Sequence, residues 1–161
     1  MNMKKVLYPG SFDPITNGHM NIIDQASSMF DEIIIVVMKN INKKEYFFDY
    51  EERVNIIREL YKDNPNITVI TGTGATVDIA IENNCCAIIR GLRSLTDYNY
   101  EVEMQQFNKE ISNNKINTIC FFADKEYQFI SSSLVKEVFY LNKDISKYVD
   151  KLVINKMNEK R

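Results

Sequence analysis

Cysteine and histidine are scarce in this chain. Its 161 residues include three cysteines, Cys85, Cys86 and Cys120, and a single histidine, His19. An odd number of cysteines with two of them adjacent does not build a disulfide framework, and one histidine far from them in the sequence leaves no metal-binding spacing. All three cysteines lie in or beside apolar runs. We therefore expect buried free thiols and a reducing, cytoplasmic location.

Long hydrophobic runs and a large excess of charge are also missing. The longest apolar run, residues 33–38, has the length of a strand, whereas a membrane-spanning helix needs about 20 apolar residues. The first residues lead into a predicted strand and show no signal-peptide pattern, so we expect no membrane association. The formal net charge of −2 disfavours a general nucleic-acid binder, because such proteins are usually basic. It leaves room for a locally basic site that binds a small anion.

The two common phosphate-binding fingerprints are absent as well. The chain contains no G-x-x-x-x-G-K-[ST] sequence, which excludes a P-loop. No G-x-G-x-x-G follows a predicted strand, which excludes the dinucleotide fingerprint. Any phosphate site in this protein must therefore be built from other loops.

Apolar runs alternate with amphipathic stretches along the whole chain, without repeats, linkers or low-complexity segments. The runs that predict strands are residues 6–8, 32–38, 67–70, 86–89 and 116–122. The alternation predicts an α/β fold: a doubly wound five-stranded parallel sheet in one domain, residues 1–161, with a C-terminal helix. The apolar stripe of residues 144–157 predicts that this last helix packs on the core, with a partner surface as the alternative.

Residues 9–19, PGSFDPITNGH, form a glycine-punctuated turn between the first predicted strand and a helix. Gly10 and Gly18 allow close backbone approach, and a helix N-terminus favours phosphate through its free N–H groups and partial positive charge. His19 falls at that helix start. The turn is either a phosphate site or an ordinary connection with a surface histidine.

The other strand-to-helix loops carry cations, glycines and hydroxyl groups. The loops contain Lys43 and Lys44, then Gly72 and Gly74, then Arg90, Gly91 and Arg93, and finally Ser131, Ser132 and Ser133. Each set has an ordinary interpretation, as solvated lysines or a helix cap. In a parallel sheet, however, these loops share the edge where α/β proteins bind ligands. Their convergence favours a polyphosphate ligand.

Four separated motifs carry a resemblance to a known family. TNGH at residues 16–19 and ISSS at residues 130–133 resemble the two signatures of the nucleotidyltransferase superfamily. Together with PGSFDPITNGH, IRGLR at residues 89–93, the segment from Asp97 to Glu101 and residues 129–138, they resemble bacterial phosphopantetheine adenylyltransferases in order along nearly the whole chain. The resemblance implies a Rossmann-like nucleotidyltransferase fold.

The resemblance also implies an activity. ATP and 4′-phosphopantetheine would give dephospho-CoA and pyrophosphate, reversibly and with Mg²⁺, in coenzyme A synthesis, with CoA as a further ligand. The enzyme would be a homohexamer. The attacking phosphate oxygen is already anionic, so we expect in-line displacement without a general base or a covalent enzyme intermediate.

By the motif match, His19 would stabilise the α-phosphate in the transition state, and Ser11 would hydrogen-bond a phosphate. Lys43 would neutralise phosphate and orient the nucleophile, Arg90 would bind the phosphate of the pantetheine substrate, and Thr76 would contact pantetheine. The implied catalytic set is His19, Lys43, Ser11 and Arg93. The implied ATP site is Ser11, Phe12, His19, Gly91, Leu92, Arg93, Glu101, Tyr127, Gln128, Phe129, Ile130, Ser131, Ser132 and Ser133.

Three positions depart from the family pattern. Ser11 replaces the frequent threonine and keeps the hydroxyl, Thr76 replaces a larger apolar residue, and Tyr127 replaces a frequent tryptophan. Cytidylyltransferases and nicotinate-mononucleotide adenylyltransferases share the two signatures, so they are the alternatives within the fold. A nucleotide-binding regulatory module without turnover is the alternative outside enzymes, but it predicts loss of the histidine or the cations, which are present.

Overall fold

The computed structural model describes residues 3–39 and 45–161. Within them, five parallel strands form one sheet in the order β3-β2-β1-β4-β5. The strands are β1 Lys5–Gly10, β2 Glu32–Met38, β3 Ile67–Gly72, β4 Ala87–Leu92 and β5 Asn117–Phe122. The chain moves outward from β1 to β3 and then crosses to the other side of β1. The predicted doubly wound α/β fold is confirmed, and the strand order reverses between β1 and β4.

Six helices connect and close the sheet within the described residues. They are α1 Asn17–Ser27, α2 Tyr50–Leu60, α3 Thr76–Glu82, α4 Leu95–Ile111, α5 Ser132–Tyr140 and α6 Lys151–Asn158, with a short 3₁₀ turn at Lys125–Tyr127. All but α3 begin at a side chain that accepts a first-turn N–H, namely Thr16, Asp49, Ser94, Ser131 and Asp150. These caps are local sequence signals that set where each helix starts.

Apolar side chains bury both faces of the sheet. On one face, residues such as Tyr8, Ile35 and Ile89 pack with the buried faces of α1, α2, α5 and α6. On the other face, Leu7 and Ile34 pack with α3. Alternate residues of β1 and β2 enter opposite layers, as expected for central strands. None of the helices in the described part of the chain has the length and apolarity to cross a membrane.

Strand β4 is longer than the sequence predicted. It was expected to end at residue 89, but Arg90, Gly91 and Leu92 continue it and pair with β5. Gly91 permits this, because a Cβ at its position would lie 2.9 Å from Cγ1 of Ile22 on α1. The extension is made by pairing with β5, and Gly91 leaves room for α1 to pack against it.

Two other expectations are wrong. The last helix begins at Lys151, where Asp150 caps it, and not near residue 144; a turn closed by the Asp144 carboxylate precedes it. Cys85 is buried, but Cys86 and Cys120 are exposed. Cys120 lies on β5, which pairs with one neighbouring strand only and so keeps part of its surface open.

Candidate active site

The turn after β1 holds His19 at the carboxyl edge of the sheet. Oγ1 of Thr16 accepts a hydrogen bond from the His19 N–H at 3.3 Å, and the Thr16 N–H donates to Nδ1 of His19 at 3.0 Å. This reciprocal pair is a capping box in which histidine occupies the place usually taken by glutamate or glutamine. The first turn of α1 thereby fixes the imidazole ring.

The imidazole is neutral, and the capping box sets its tautomer. The Thr16 N–H needs a lone pair, so Nδ1 carries no proton and Nε2 is the protonated nitrogen. Burial, followed by the positive charges of Arg93 and Arg90, lowers the pKa of His19 to about 4. The ring packs edge-on against Phe12, with centroids 5.0 Å apart. At neutral pH His19 is an uncharged Nε2–H donor in the wall of a cleft.

Two arginines line the same cleft, each oriented by a carboxylate on α4 and a backbone carbonyl. Nε of Arg90 lies 2.7 Å from Oε1 of Glu101, and its Nη1 donates to the Pro9 carbonyl at 2.9 Å. Arg93 pairs with Asp97 at 3.1 Å and donates to the Ile130 carbonyl at 2.8 Å. These contacts tie β1, β4, α4 and the segment before α5 to the two guanidinium groups. The arginines are therefore held in place before a ligand binds.

The serine run begins α5 and faces the cleft. Oγ of Ser131 accepts the Leu134 N–H at 3.1 Å, so this side chain is the helix cap. The Ser132 hydroxyl donates to the Pro14 carbonyl at 2.8 Å and so joins α5 to the turn after β1. Ser133 is exposed. First-turn N–H groups and the helix dipole make this helix start favourable for an anion.

These elements enclose a cleft of about 520 Å³, within the usual size of a small-ligand site. It lies at the carboxyl ends of β1 and β4, where the strand order reverses, which is the ligand-binding position of open α/β sheets. The predicted site residues in its wall are Ser11, His19, Arg90, Gly91, Arg93, Glu101, Ile130, Ser131, Ser132 and Ser133.

Other predicted residues lie outside the wall of this cleft. Phe12 is buried and supports the His19 ring. Leu92 and Gln128 line an adjoining cavity with Arg93. Tyr127 ends the short turn before α5, Phe129 is 85% exposed and Thr76 begins α3. Lys43 lies outside the described residues.

Sequence reasoning missed several residues of the wall. Tyr8, Ile22, Thr96 and Ala123 lie outside every motif that the sequence indicated, whereas Pro9, Thr16 and Tyr100 lie within those motifs but were not assigned to the site. Thr96 and Tyr100 stand four residues apart on α4, as do Asp97 and Glu101, so each pair shares a helix face. Because Glu101 is assigned to the site, this spacing indicates Asp97, which also lies in the wall, but it does not indicate Thr96 or Tyr100.

Fold and cleft together define an α/β protein of the nucleotidyltransferase class. The model of the cytidylyltransferase-like family matches residues 7–138. Among solved structures, the chain resembles the nicotinic acid mononucleotide adenylyltransferase of Plasmodium falciparum complexed with NaAD, with a TM-score of 0.74 over 98% of this chain and 96% of that chain. At 19% identity, this likeness concerns the fold alone.

Relatives with higher sequence identity show which family within the nucleotidyltransferase class the chain belongs to. The chain is 42% identical over 160 residues to the phosphopantetheine adenylyltransferase of Finegoldia magna, covering 99% of this chain and 98% of that protein. It is 43% identical over 158 residues to the phosphopantetheine adenylyltransferase of Syntrophomonas wolfei, covering 98% and 97%. The chain belongs to the phosphopantetheine adenylyltransferase family.

Proposed function

We propose that this protein transfers an adenylyl group reversibly from ATP to 4′-phosphopantetheine, giving dephospho-CoA and pyrophosphate. The observation that carries the proposal is the cleft itself. A neutral histidine donor, two pre-oriented arginines and a helix N-terminus meet at the strand reversal, in a chain of this family. This combination suits a polyphosphate and a second phosphorylated substrate.

The proposed reaction is an in-line displacement. A phosphate oxygen of 4′-phosphopantetheine forms a bond to the α-phosphorus of ATP while the bond from that phosphorus to the β-phosphate oxygen breaks. Pyrophosphate leaves with the electron pair of that bond. The attacking oxygen is already anionic, so the work of the protein is positioning and charge stabilisation.

The described residues have distinct parts in this mechanism. His19 donates its Nε2–H to an α-phosphate oxygen as charge develops there, and the Ser11 hydroxyl binds a phosphate. Arg93 and the start of α5 hold the ATP phosphates, and Arg90 binds the phosphate of the acceptor. Lys43 is proposed to neutralise phosphate, and Thr76 to contact pantetheine.

Magnesium belongs to the proposal as the ATP complex. In the part of the chain that the structure describes, no three His, Cys, Asp or Glu side chains come together as a metal site. Mg²⁺ is usually held by substrate phosphates, water and one or two carboxylates. We therefore propose that it enters with ATP and offsets the charge of the phosphates.

We further propose a cytoplasmic homohexamer. Helix α4 has seventeen residues but buries only Glu101 and Asn108 among them, and it exposes 54% of Phe107 and 80% of Leu95. Phe122 of β5, next to α4, is 77% exposed. Apolar area of this kind supports association with other copies. The number of six subunits comes from the family resemblance.

An assay of product formation with different acceptors tests the function. The protein is incubated with ATP, Mg²⁺ and 4′-phosphopantetheine, and pyrophosphate and dephospho-CoA are measured; parallel reactions contain nicotinate mononucleotide, or CTP in place of ATP. We expect product with ATP and 4′-phosphopantetheine. Turnover with nicotinate mononucleotide alone, or ATP binding without any turnover, would refute the proposal and favour one of the alternatives.

A further inference from the structure

Arg53 is a buried cation in a helix that contributes nothing to the cleft wall. It lies on α2, no residue of which lines the cleft, and its exposure is 2%. Burying a charge is costly unless its hydrogen-bonding groups find partners. The guanidinium finds them in main-chain oxygens: Nη1 donates to the Ser11 carbonyl at 2.7 Å and to the Met38 carbonyl at 3.4 Å, and Nε donates to the Asp49 carbonyl at 3.3 Å.

Aromatic rings hold the guanidinium in this position. Its central carbon lies 4.1 Å from the ring centre of Tyr46 and 5.3 Å from that of Tyr50. A guanidinium over a ring face is attracted by the ring quadrupole, more so when water is excluded. The shortest of the main-chain bonds, to Ser11, therefore has a donor with little freedom to move.

Asp13 connects the same turn to the segment that precedes α2. Its buried carboxylate accepts the Phe47 N–H at 2.9 Å and the Phe48 N–H at 2.8 Å. Phe48 is followed by Asp49, the N-cap of α2. Asp13 of the turn therefore contacts residues 47 and 48, which lead into α2. Arg53 of α2 in turn contacts the Ser11 carbonyl at the start of the same turn. This closed path restrains the turn at both ends.

We propose that Arg53 is a positioning residue for the adenylyl transfer. By holding the Ser11 carbonyl, it sets the main chain of Ser11 and with it the direction of the hydroxyl in the cleft wall. The next residue, Phe12, has a φ of 48°, which L residues rarely adopt, so the turn needs such a restraint to keep its shape. The inference rests on the proposed function, since Ser11 matters only if the cleft carries out that reaction.

Steady-state kinetics of Arg53→Gln and Arg53→Lys test the proposal. A displacement of about 1 Å in a catalytic group costs on the order of 100-fold in rate, so we expect Arg53→Gln to lower kcat by about 10- to 100-fold. The KM values for ATP and 4′-phosphopantetheine should change by less than about threefold, because Arg90, Arg93 and α5 still bind the phosphates and only the uncharged Ser11 hydroxyl is displaced. Arg53→Lys should recover part of kcat, since it keeps the charge and donates hydrogen bonds from one nitrogen.

A double-mutant cycle shows whether Arg53 acts through Ser11. Ser11→Ala should lower kcat strongly in the wild-type background. In Arg53→Gln it should lower kcat by less than about twofold, because the Ser11 hydroxyl is already out of position there and its removal takes away little catalysis. A merely structural role predicts that the two effects multiply. Multiplicative effects would therefore overturn the proposal.

Two variants on the same helix serve as controls. Arg58→Gln removes another arginine that donates to a main-chain carbonyl, that of Val69 at 3.3 Å, away from the cleft; its kcat should equal that of wild type. Ile57→Val reduces packing at a fully buried core position and so reproduces part of the stability loss that accompanies Arg53→Gln. All kcat values are corrected for the folded fraction measured by circular dichroism.

The outcomes separate the two proposals. A wild-type protein that makes no dephospho-CoA refutes the proposed function and this inference with it. An active wild type with Arg53 variants within twofold of its kcat overturns this inference alone, as does an equal loss in Ile57→Val. If Arg53→Gln does not fold, Arg53→Lys supplies the same kcat comparison and the same cycle with Ser11→Ala.

Discussion

Replacing His19 by glutamine or by alanine separates the two contributions of this side chain. Glutamine is a usual capping-box residue at this helix position, so its Oε1 accepts the Thr16 N–H that Nδ1 now accepts. Its amide nitrogen then replaces Nε2 as an uncharged donor. His19→Ala removes both the acceptor and the donor. We expect His19→Gln to keep both bonds of the capping box and part of the activity. His19→Ala should keep the bond from the main-chain N–H of residue 19 to Thr16 but lose the bond from the Thr16 N–H, together with the activity.

The magnitudes follow from the two interactions. Losing the hydrogen bond from the Thr16 N–H to the imidazole costs about 1 kcal/mol of the free energy of unfolding. Losing a donor to charge that develops in the transition state costs about 3 to 4 kcal/mol, which lowers kcat by about 100- to 1000-fold. His19→Ala should show both losses. His19→Gln should unfold at nearly the denaturant concentration of wild type, with a kcat between the two proteins.

The lowered pKa of His19 also predicts how stability depends on pH. The pKa falls from about 6.5 in the unfolded chain to about 4 in the folded protein, so the unfolded state binds more protons between these values. The contribution from neutral His19 is complete above pH 6.5 and is lost as the pH falls toward 4. It amounts to at most about 3 kcal/mol. His19→Gln has no titrating group there and should lack this part of the pH dependence.

The single histidine makes the measurement unambiguous. Nuclear magnetic resonance of protein labelled with ¹⁵N-histidine should show one imidazole, protonated at Nε2 and titrating near pH 4, and kcat should show no acid limb from His19 between pH 6 and 8. An imidazole protonated at Nδ1, or one that titrates near 6.5, would refute the assigned tautomer and environment. Near-normal turnover in His19→Ala would remove His19 from the mechanism.

Three further substitutions test the contacts around the site. Asp13→Asn leaves either the buried Phe48 N–H or the half-buried Phe47 N–H facing an amide nitrogen and removes the charge partner of Lys136, so urea unfolding should show a loss of about 1 to 3 kcal/mol. Arg90→Met leaves the nearly buried Glu101 carboxylate without its cation, so it should destabilise more than Glu101→Gln and raise the KM for 4′-phosphopantetheine. Phe107→Asp places a charge on the exposed face of α4 and should lower the molar mass measured by light scattering.

An exposed ion pair provides the control for these experiments. Lys62 and Glu59 pair on the surface with more than half of each side chain exposed, so Lys62→Gln should change stability by less than about 0.5 kcal/mol. Equal stability of Asp13→Asn and wild type would contradict the anchoring of residues 47 and 48. An unchanged KM in Arg90→Met would contradict its assignment to the acceptor, and an unchanged mass in Phe107→Asp would contradict association through α4.

Local signals account for the parts of the fold and site that the sequence predicted. The capping pair of Thr16 and His19 spans three residues, as does the Ser131 cap of α5, so both helix starts follow from neighbouring residues alone. The apolar run at residues 32–38 predicts a strand, and the structure confirms it as β2, whose central residues are buried on both faces of the sheet. The alternation of strands and helices then placed the loops at one edge.

Contacts between distant segments account for what the sequence did not show. The expected strand ended before Arg90, but pairing with β5 carries β4 through Leu92. The apolar residues of α4 have helical spacing, yet the sheet leaves much of that face uncovered. Spacing shows that residues share a face, and it does not show which surface covers that face.

By itself, the sequence determined the α/β class, through the alternation of apolar runs and amphipathic stretches, and the starts of helices such as α5, whose cap lies three residues from the N–H it accepts. It also determined the chemical groups in the loops, but it misplaced the start of the last helix. Only the tertiary structure decided how those groups are held. Arg53 contacts Ser11 across forty-two positions and Arg93 contacts Ile130 across thirty-seven. Such bonds depend on the order of the strands and the packing of helices against them, which bring these segments together only when the whole chain folds.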